Sequence, residues 1–299
     1  MIHDEYPEHS VAVDDVVPQA GRLRRVNGTN IIGAIGLAIV VALIAIAIFA
    51  PFIAPYDPTE RVGRPFSVPS AEHPLGTNDI GQDLFSELVY GTRVSLTVGL
   101  VAATVALLIG TTVGILAGFY PRVLGSLLMR FVDIVLILPF LPLLIILAAY
   151  LGRSLLNTVV VIGILIWAGS ARVIRSQVLS LTQRDYVVAA RAMGGSDFHI
   201  IVKHVLPLTL LLAIGEFVQA TAGAILLEAS LSFLGLGDPL QKSWGAILYW
   251  AQVRGAFLTP AWQWWVLPPG LLIMAAALGF ALIGFALEQR VNPRLRQAR

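Results

Sequence analysis

The stretch Val94–Phe119, VSLTVGLVAATVALLIGTTVGILAGF, carries no charged side chain across 26 positions. As an α-helix it would be about 39 Å long, whereas about 20 residues at 1.5 Å each suffice to cross a hydrocarbon core of roughly 30 Å. Ala102, Ala106, Gly110, Gly114 and Gly118 fall at every fourth position. The helix therefore presents a stripe of small side chains that lets a neighbouring backbone come close. Comparable apolar runs occupy Ile31–Phe52, Phe131–Tyr150, Leu155–Ile174, Pro207–Leu231 and Trp264–Leu287. Together they predict an all-α membrane protein of about six transmembrane helices, the third of them kinked at Pro139 and Pro142, because each proline removes a helix hydrogen bond.

Composition agrees with that class and excludes several others. The chain is 57% hydrophobic and 13% charged, against about 25% charge in an ordinary soluble domain. It contains no cysteine, which removes disulfides, thiolate catalysis and iron–sulfur ligation. The net charge is +2, and the basic residues flank apolar runs instead of forming a continuous stripe. The lipid bilayer is thus the implied surrounding, and no nucleic-acid partner is expected. A phosphate-binding loop needs Gly-x-x-x-x-Gly-Lys-Ser/Thr; the lysines are Lys203 and Lys242, and neither follows a glycine. No cofactor is therefore expected on this chain, and His199 and His204 lack the intervening Glu of a zinc-protease helix.

The runs divide the chain into a polar tail (1–30), a first helix (31–52), a loop rich in Pro and Gly (53–93), a core with five further helices (94–288) and a second tail (289–299). The first run is longer than the roughly 7 to 15 residues of a signal-peptide core, which predicts an uncleaved helix. With the N-terminus inside, fourteen of the 20 Lys and Arg residues fall on the cytoplasmic side and six on the other. The positive-inside rule then predicts that both termini are cytoplasmic and that 53–93 lies outside.

Ionisable residues within spans are costly and are functional candidates by default. The acidic ones are Asp133, Glu216 and Glu228. Asp133, near a span end, reads as a helix-end ion pair with Arg130. Glu216 and Glu228 sit deeper on one helix, about 18 Å apart along its axis and about 120° apart around it. A straight helix cannot point both at one spot, so one is expected to line a path, with Gln219 one turn on from Glu216, while the other ties the helix to a neighbour. Trp244, Trp250, Trp262, Trp264 and Trp265 read either as an interface belt or as a grip for a solute. His73 reads as a loop-stabilising hydrogen-bond partner or as a group titrating near neutrality.

The segment 175–206 is the most informative. Its centre, Asp185-Tyr186-Val187-Val188-Ala189-Ala190-Arg191-Ala192-Met193-Gly194-Gly195-Ser196-Asp197, reads as a short Ala-built helix, stopped by a glycine pair and restarted with Ser196 as N-cap. On its residues alone it is either a plug for another protein's groove or an interfacial helix on the headgroups. It resembles the signature loop of ABC importer permeases, Glu-Ala-Ala, three residues, Gly, nine residues, Ile, any residue, Leu-Pro. Ala189, Ala190, Gly194, Leu206 and Pro207 match at the right spacing, while Val188 and His204 replace the Glu and the Ile. His73-Pro74-Leu75-Gly76-Thr77-Asn78-Asp79-Ile80-Gly81-Gln82-Asp83 and Leu227-Glu228-Ala229-Ser230-Leu231-Ser232-Phe233-Leu234-Gly235-Leu236-Gly237 are similar to stretches of the permeases for dipeptides, oligopeptides and nickel. Asn78 and Gln82 stand where that family usually shows Asp and Arg, which is expected to loosen local ion pairing.

The resemblance implies a type I ABC importer permease core in a bacterial cytoplasmic (inner) membrane, paired with a second homologous permease subunit. It further implies two cytoplasmic ATPase subunits, which would hold the ATP and Mg, and an extracytoplasmic substrate-binding protein. In such a machine Ala189 to Asp197 would be the loop that couples to the ATPases, and the solute would be a short peptide. Resemblance also favours Glu228 as the tie and leaves Glu216 with Gln219 as the path candidates.

The absence of native cysteine makes the orientation directly measurable. A thiol at Ser70→Cys is expected to react with an impermeant reagent added outside intact cells, and one at Ser196→Cys is not; the reverse pattern would overturn the six-span orientation.

Overall fold

The computed structural model describes the backbone of residues 20–291 and the side chains of residues 30–289. Most of the two expected tails lies outside those residues. In chain order the helices are α1 (Ala20–Ile48), α2 (Ala50–Ile53), α3 (Leu84–Phe119), α4 (Val123–Ile137), α5 (Phe140–Leu151), α6 (Leu155–Leu181), α7 (Asp185–Ala192), α8 (Asp197–Ile200), α9 (Leu206–Phe233), α10 (Trp244–Val253) and α11 (Leu267–Val291). Five helical stretches, containing α1, α3, α6, α9 and α11, are each long and apolar enough to cross a membrane, and α4 with α5 makes a sixth, bent pass. The described residues form an all-α bundle of an integral membrane protein.

α3 is the spine. It runs 36 residues, about 54 Å, and starts ten positions before the apolar run, inside the segment that composition assigns to a loop. Asp83 sets that start: its side chain accepts hydrogen bonds from the Ser86 N–H at 2.8 Å and the Ser86 hydroxyl at 2.7 Å, an N-cap that satisfies one of the orphan donors of the first turn. The small-residue stripe packs on α6, with Gly110 against Trp167 and Ser170, Gly114 against Ala171 and Ile174, and Gly118 against Val178. Both partners advance together, so α3 and α6 are parallel and the α4–α5 pass returns the chain between them. α9 runs antiparallel to α3, with Ile225 pressed on Gly99, and α1 with α11 forms an antiparallel pair through Gly33, Gly36 and Gly279.

Only one of the two prolines of the third span bends it. Leu138, the residue before Pro139, is extended at φ −62° and ψ 138°, because the proline ring disfavours the helical region for its predecessor. The two halves meet at 87°, a break much sharper than a kink. Pro142 falls in the first turn of α5, where its missing N–H would have had no partner in any case.

Residues 54–83 and the α10 region form a cap at one end of the bundle; 182–206 lies at the other. Two tryptophans read as belt residues belong instead to the core: Trp244 is buried with Leu96, Ile225 and Phe280, and Trp265 with Leu84, Ile247 and Ala251. Of the five, Trp262 is the exposed one.

The α3–α6 contact leaves no space for a larger side chain. A Cβ at Gly114 would lie 2.8 Å from the Ala171 carbonyl oxygen, so Gly114→Leu is expected to cost about 1–3 kcal/mol and to lower the thermal midpoint in detergent. Gly169→Ala, which meets nothing within 4 Å, should leave it unchanged.

Candidate functional site

The segment after α6 is seated by its apolar side. Val187 and Ala190, three apart on α7 and therefore on one face, are buried with Ile200 and Val205 against Ile115 and Phe119 of α3 and Ile174, Val178 and Leu181 of α6. α7 ends in a two-bond stop: the Gly195 N–H donates to the Ala190 carbonyl at 3.0 Å and the Gly194 N–H to that of Arg191 at 3.1 Å. Gly194 has φ +83°, the left-handed conformation this stop requires and that glycine adopts without a Cβ penalty. Ser196 then caps α8 by accepting from the His199 N–H at 3.3 Å.

Two contacts fasten the segment to the end of α3. The Arg191 guanidinium lies 5.2 Å over the Phe119 ring, and the Tyr120 hydroxyl donates to Asp197 Oδ2 at 3.0 Å. Lost hydration and the Asp197 carboxylate it faces together hold the Tyr120 phenol above its ordinary pKa. Leu206 and Pro207 open α9. Because a proline at this point withdraws a donor from the ladder, the preceding turn widens, and the Leu206 N–H reaches back to the Ile201 carbonyl. With the inner face so committed, Val188, Met193 and Phe198 remain outward, the last two 82% and 78% exposed.

The carboxylates within the spans separate into distinct roles. Glu228 is buried between helices: Ser95 of α3 donates to Oε2 at 3.0 Å and Ser232 donates to Oε1 at 2.7 Å, with Ser243 as a further hydrogen-bond partner. The Trp244 backbone N–H donates in turn to Ser95 Oγ at 3.2 Å. That arrangement fits a tie joining α3, α9 and α10, not a contact for a passing solute. Glu216 is half-buried and accepts from Ser170 of α6 at 3.1 Å. Gln219 points elsewhere, its side chain lying over Gly284 of α11, so the two path candidates do not converge. Asp133 departs from the expected Arg130 pairing: its partner is Arg172 of α6, at 2.6 Å.

The cap carries residues that sequence reasoning missed. Glu87 is buried and pairs with Lys242 at 2.7 Å, the side chains being 4% and 19% exposed. Asn78 donates to Glu87 at 2.9 Å and to Gln82 at 2.9 Å, and Lys242 also donates to Gln82 at 2.8 Å. Asn78 and Gln82, expected to loosen the local pairing, instead complete the polar shell of a buried pair. His73 lies 3.0 Å from Asp83 through Nδ1, which fits the loop-stabilising reading. Glu87 sits one turn into α3, so the signal that could have found it was Asp83 as an N-cap: placing the helix start there puts Glu87 on a helix facing the later loop.

Residues 110–297 match the model of the binding-protein-dependent transport system inner membrane component, and residues 29–69 that of the N-terminal transmembrane domain of oligopeptide transport permease C. The chain belongs to this family of transport permeases. It is 41% identical over 273 residues to a dipeptide transport system permease of Alkalihalophilus pseudofirmus, covering 89% of this chain and 87% of that one. It is 37% identical to a di/tripeptide transport system permease of Pseudomonas aeruginosa, with 88% of each chain covered. A glutathione transport system permease of Pectobacterium atrosepticum is 35% identical, with 86% and 85% covered. This permease thus has relatives with different named solutes at similar identity.

Removing one partner of a buried ion pair leaves the other uncompensated. Lys242→Met is therefore expected to destabilise the permease by about 3 kcal/mol, seen as a lowered unfolding midpoint, and adding Glu87→Leu in the same chain should recover most of that loss. A double variant no more stable than Lys242→Met would show that the pair does not hold the cap.

Proposed function

We propose that this permease is one of two transmembrane halves of an ATP-driven importer of short peptides, working in a bacterial cytoplasmic membrane with both termini inside. A second, homologous permease chain would supply the other half of the path, and an extracytoplasmic binding protein would deliver the solute. The names of the relatives support a peptide solute: dipeptides, di- and tripeptides and glutathione share a compact, charged backbone. ATP and Mg would bind on two cytoplasmic ATPase subunits, since this chain carries no phosphate-binding loop.

The observation that carries the coupling role is the outward apolar row Val188, Met193 and Phe198 on a segment whose other face is locked to α3 and α6. Exposed large apolar side chains on a well-anchored helix mark a protein contact. In this reading Ala189, Ala190, Arg191, Gly194, Gly195, Ser196 and Asp197 form the coupling element, and Leu206 and Pro207 join it to α9. A push on α7 is delivered to α3 through Phe119 and Tyr120 and to α9 through the widened turn. Moving a two-state equilibrium from 1:99 to 99:1 takes about 5.5 kcal/mol of differential binding, which ATPase closure supplies to both permease halves at once. Glu216 and Gln219 remain the path candidates on α9, and Glu228 is the tie.

Two substitutions test the coupling role in the assembled transporter. Phe198→Asp places a charge in the docking row, so peptide-stimulated ATP hydrolysis should fall at least tenfold while the permease still inserts. Gly194→Val forces a β-branched residue into positive φ and should act likewise, whereas Gly194→Asn, which tolerates that conformation, should retain most of the stimulation. Full stimulation in both Phe198→Asp and Gly194→Val would show that another surface couples.

A further inference from the structure

The Asp133–Arg172 pair stands in an unusual place. Its side chains are 54% and 57% exposed, the degree expected of a surface pair in water. Yet Asp133 lies ten residues into α4 and Arg172 nine residues before the end of α6, each about 14 to 15 Å from a helix end. The adjacent Ala171 packs between Gly110 and Gly114 of α3. Those glycines lie roughly 5 to 11 Å beyond the midpoint of the apolar run Val94–Phe119, inside a half-thickness of about 15 Å. Arg can extend its head toward the headgroups, but Asp has no such reach.

A second observation points the same way. The 87° break at Leu138–Pro139 follows Asp133 by little more than one turn, and Ile137 beside it is 81% exposed. The first turn of α5 has no side-chain cap, since Pro139 offers no acceptor. Irregular backbone at membrane depth is tolerated where it is buried in protein or lines a water-filled cavity, and not against lipid. This break is on the surface of the chain.

We infer that the face of α4 and α6 bearing Asp133, Arg172 and the Leu138–Pro139 break borders a water-filled conduit, and that the ion pair is its charged contact for a small zwitterionic solute. The solute class rests on the peptide-import reading; the water-filled face does not. In a hydrated groove the two charges keep their solvation, and each is free to exchange its partner for the oppositely charged end of a solute.

The cysteine-free chain allows a direct test in the assembled transporter in proteoliposomes. Single variants Asp133→Cys, Arg172→Cys and Ile137→Cys, the last leaving the ion pair intact, are treated with a charged methanethiosulfonate, whose sulfur is attacked by the thiolate that forms in water, giving a mixed disulfide and releasing methanesulfinate. Modification should be at least 100-fold faster than at Leu37→Cys, an apolar site exposed on α1, or at Val132→Cys, which is fully buried. Rates at 133, 137 and 172 as slow as these controls would mean that lipid or the second permease chain covers the face, and would overturn the conduit. The charged contact is tested by uptake of a free dipeptide. Asp133→Asn should reduce uptake at least fivefold, and the exchange Asp133→Arg with Arg172→Asp, which restores the pair but inverts its polarity, should not recover it. Full recovery would reduce the pair to a structural tie. Fast labelling at Ile137→Cys, in a transporter whose cysteine-free parent moves no peptide, would count against the peptide reading and leave the conduit standing.

Discussion

The bundle depends on backbone-to-backbone approach along α3. Between helices in lipid there is no hydrophobic driving force, because lipid tails are as apolar as leucine; what remains is dispersion at close range and the matching of shapes. Gly110, Gly114 and Gly118 let α6 come so near that its own backbone atoms at Trp167, Ala171 and Arg175 form the contact surface. Once α3 and α6 lie parallel, the chain between them must cross the membrane once more, and α4–α5 does so. The 87° bend falls in that pass, between two helices of 15 and 12 residues. Gly91 and Gly245 extend the same logic to the cap, where α10 lies against α3 and α9.

Polar groups supply what small residues cannot, namely a defined register. Glu228 reaches Ser95 and Ser232, and Glu87 reaches Lys242 from the far side of the cap. Sliding α9 by one residue along α3 would strand a buried carboxylate, at a cost of several kcal/mol. Dispersion along a glycine stripe has no comparable penalty for a slip. The ties sit at the cap end, and the opposite end is held by the apolar cluster around Phe119 and Val187.

Much of this was legible in the residues, and the misses share a cause. The spans, the stripe, the glycine stop and the Ser196 cap all follow from local periodicity and turn chemistry, so they read directly from the chain. The start of α3 was missed because composition over 53–93 is polar, and one capping aspartate outweighs that average. Asp133 was paired with Arg130 because both lie on one helix; the parallel packing of α6 brings Arg172 nearer, and no spacing rule within a single helix contains that information. Trp244 and Trp265 were assigned to an interface belt for the same reason: tryptophan near a span end fits lipid headgroups or a core equally well until a neighbouring helix covers it.

The prolines show how one residue type takes different roles by position. Pro142 in the first turn of α5 changes nothing, Pro207 widens one turn at the mouth of α9, and Pro139 breaks a span outright. What differs is whether the hydrogen bond that proline deletes was needed and whether the residue before it was required to be helical. At Leu138 it was required, and no side chain replaces the lost ladder. A break that exposes backbone in lipid would be selected against; a break beside water costs little and lets a helix turn its end into the groove. Pro139 lies near the exposed Asp133–Arg172 pair and away from the cap, so the break belongs to the face on which the inferred conduit rests.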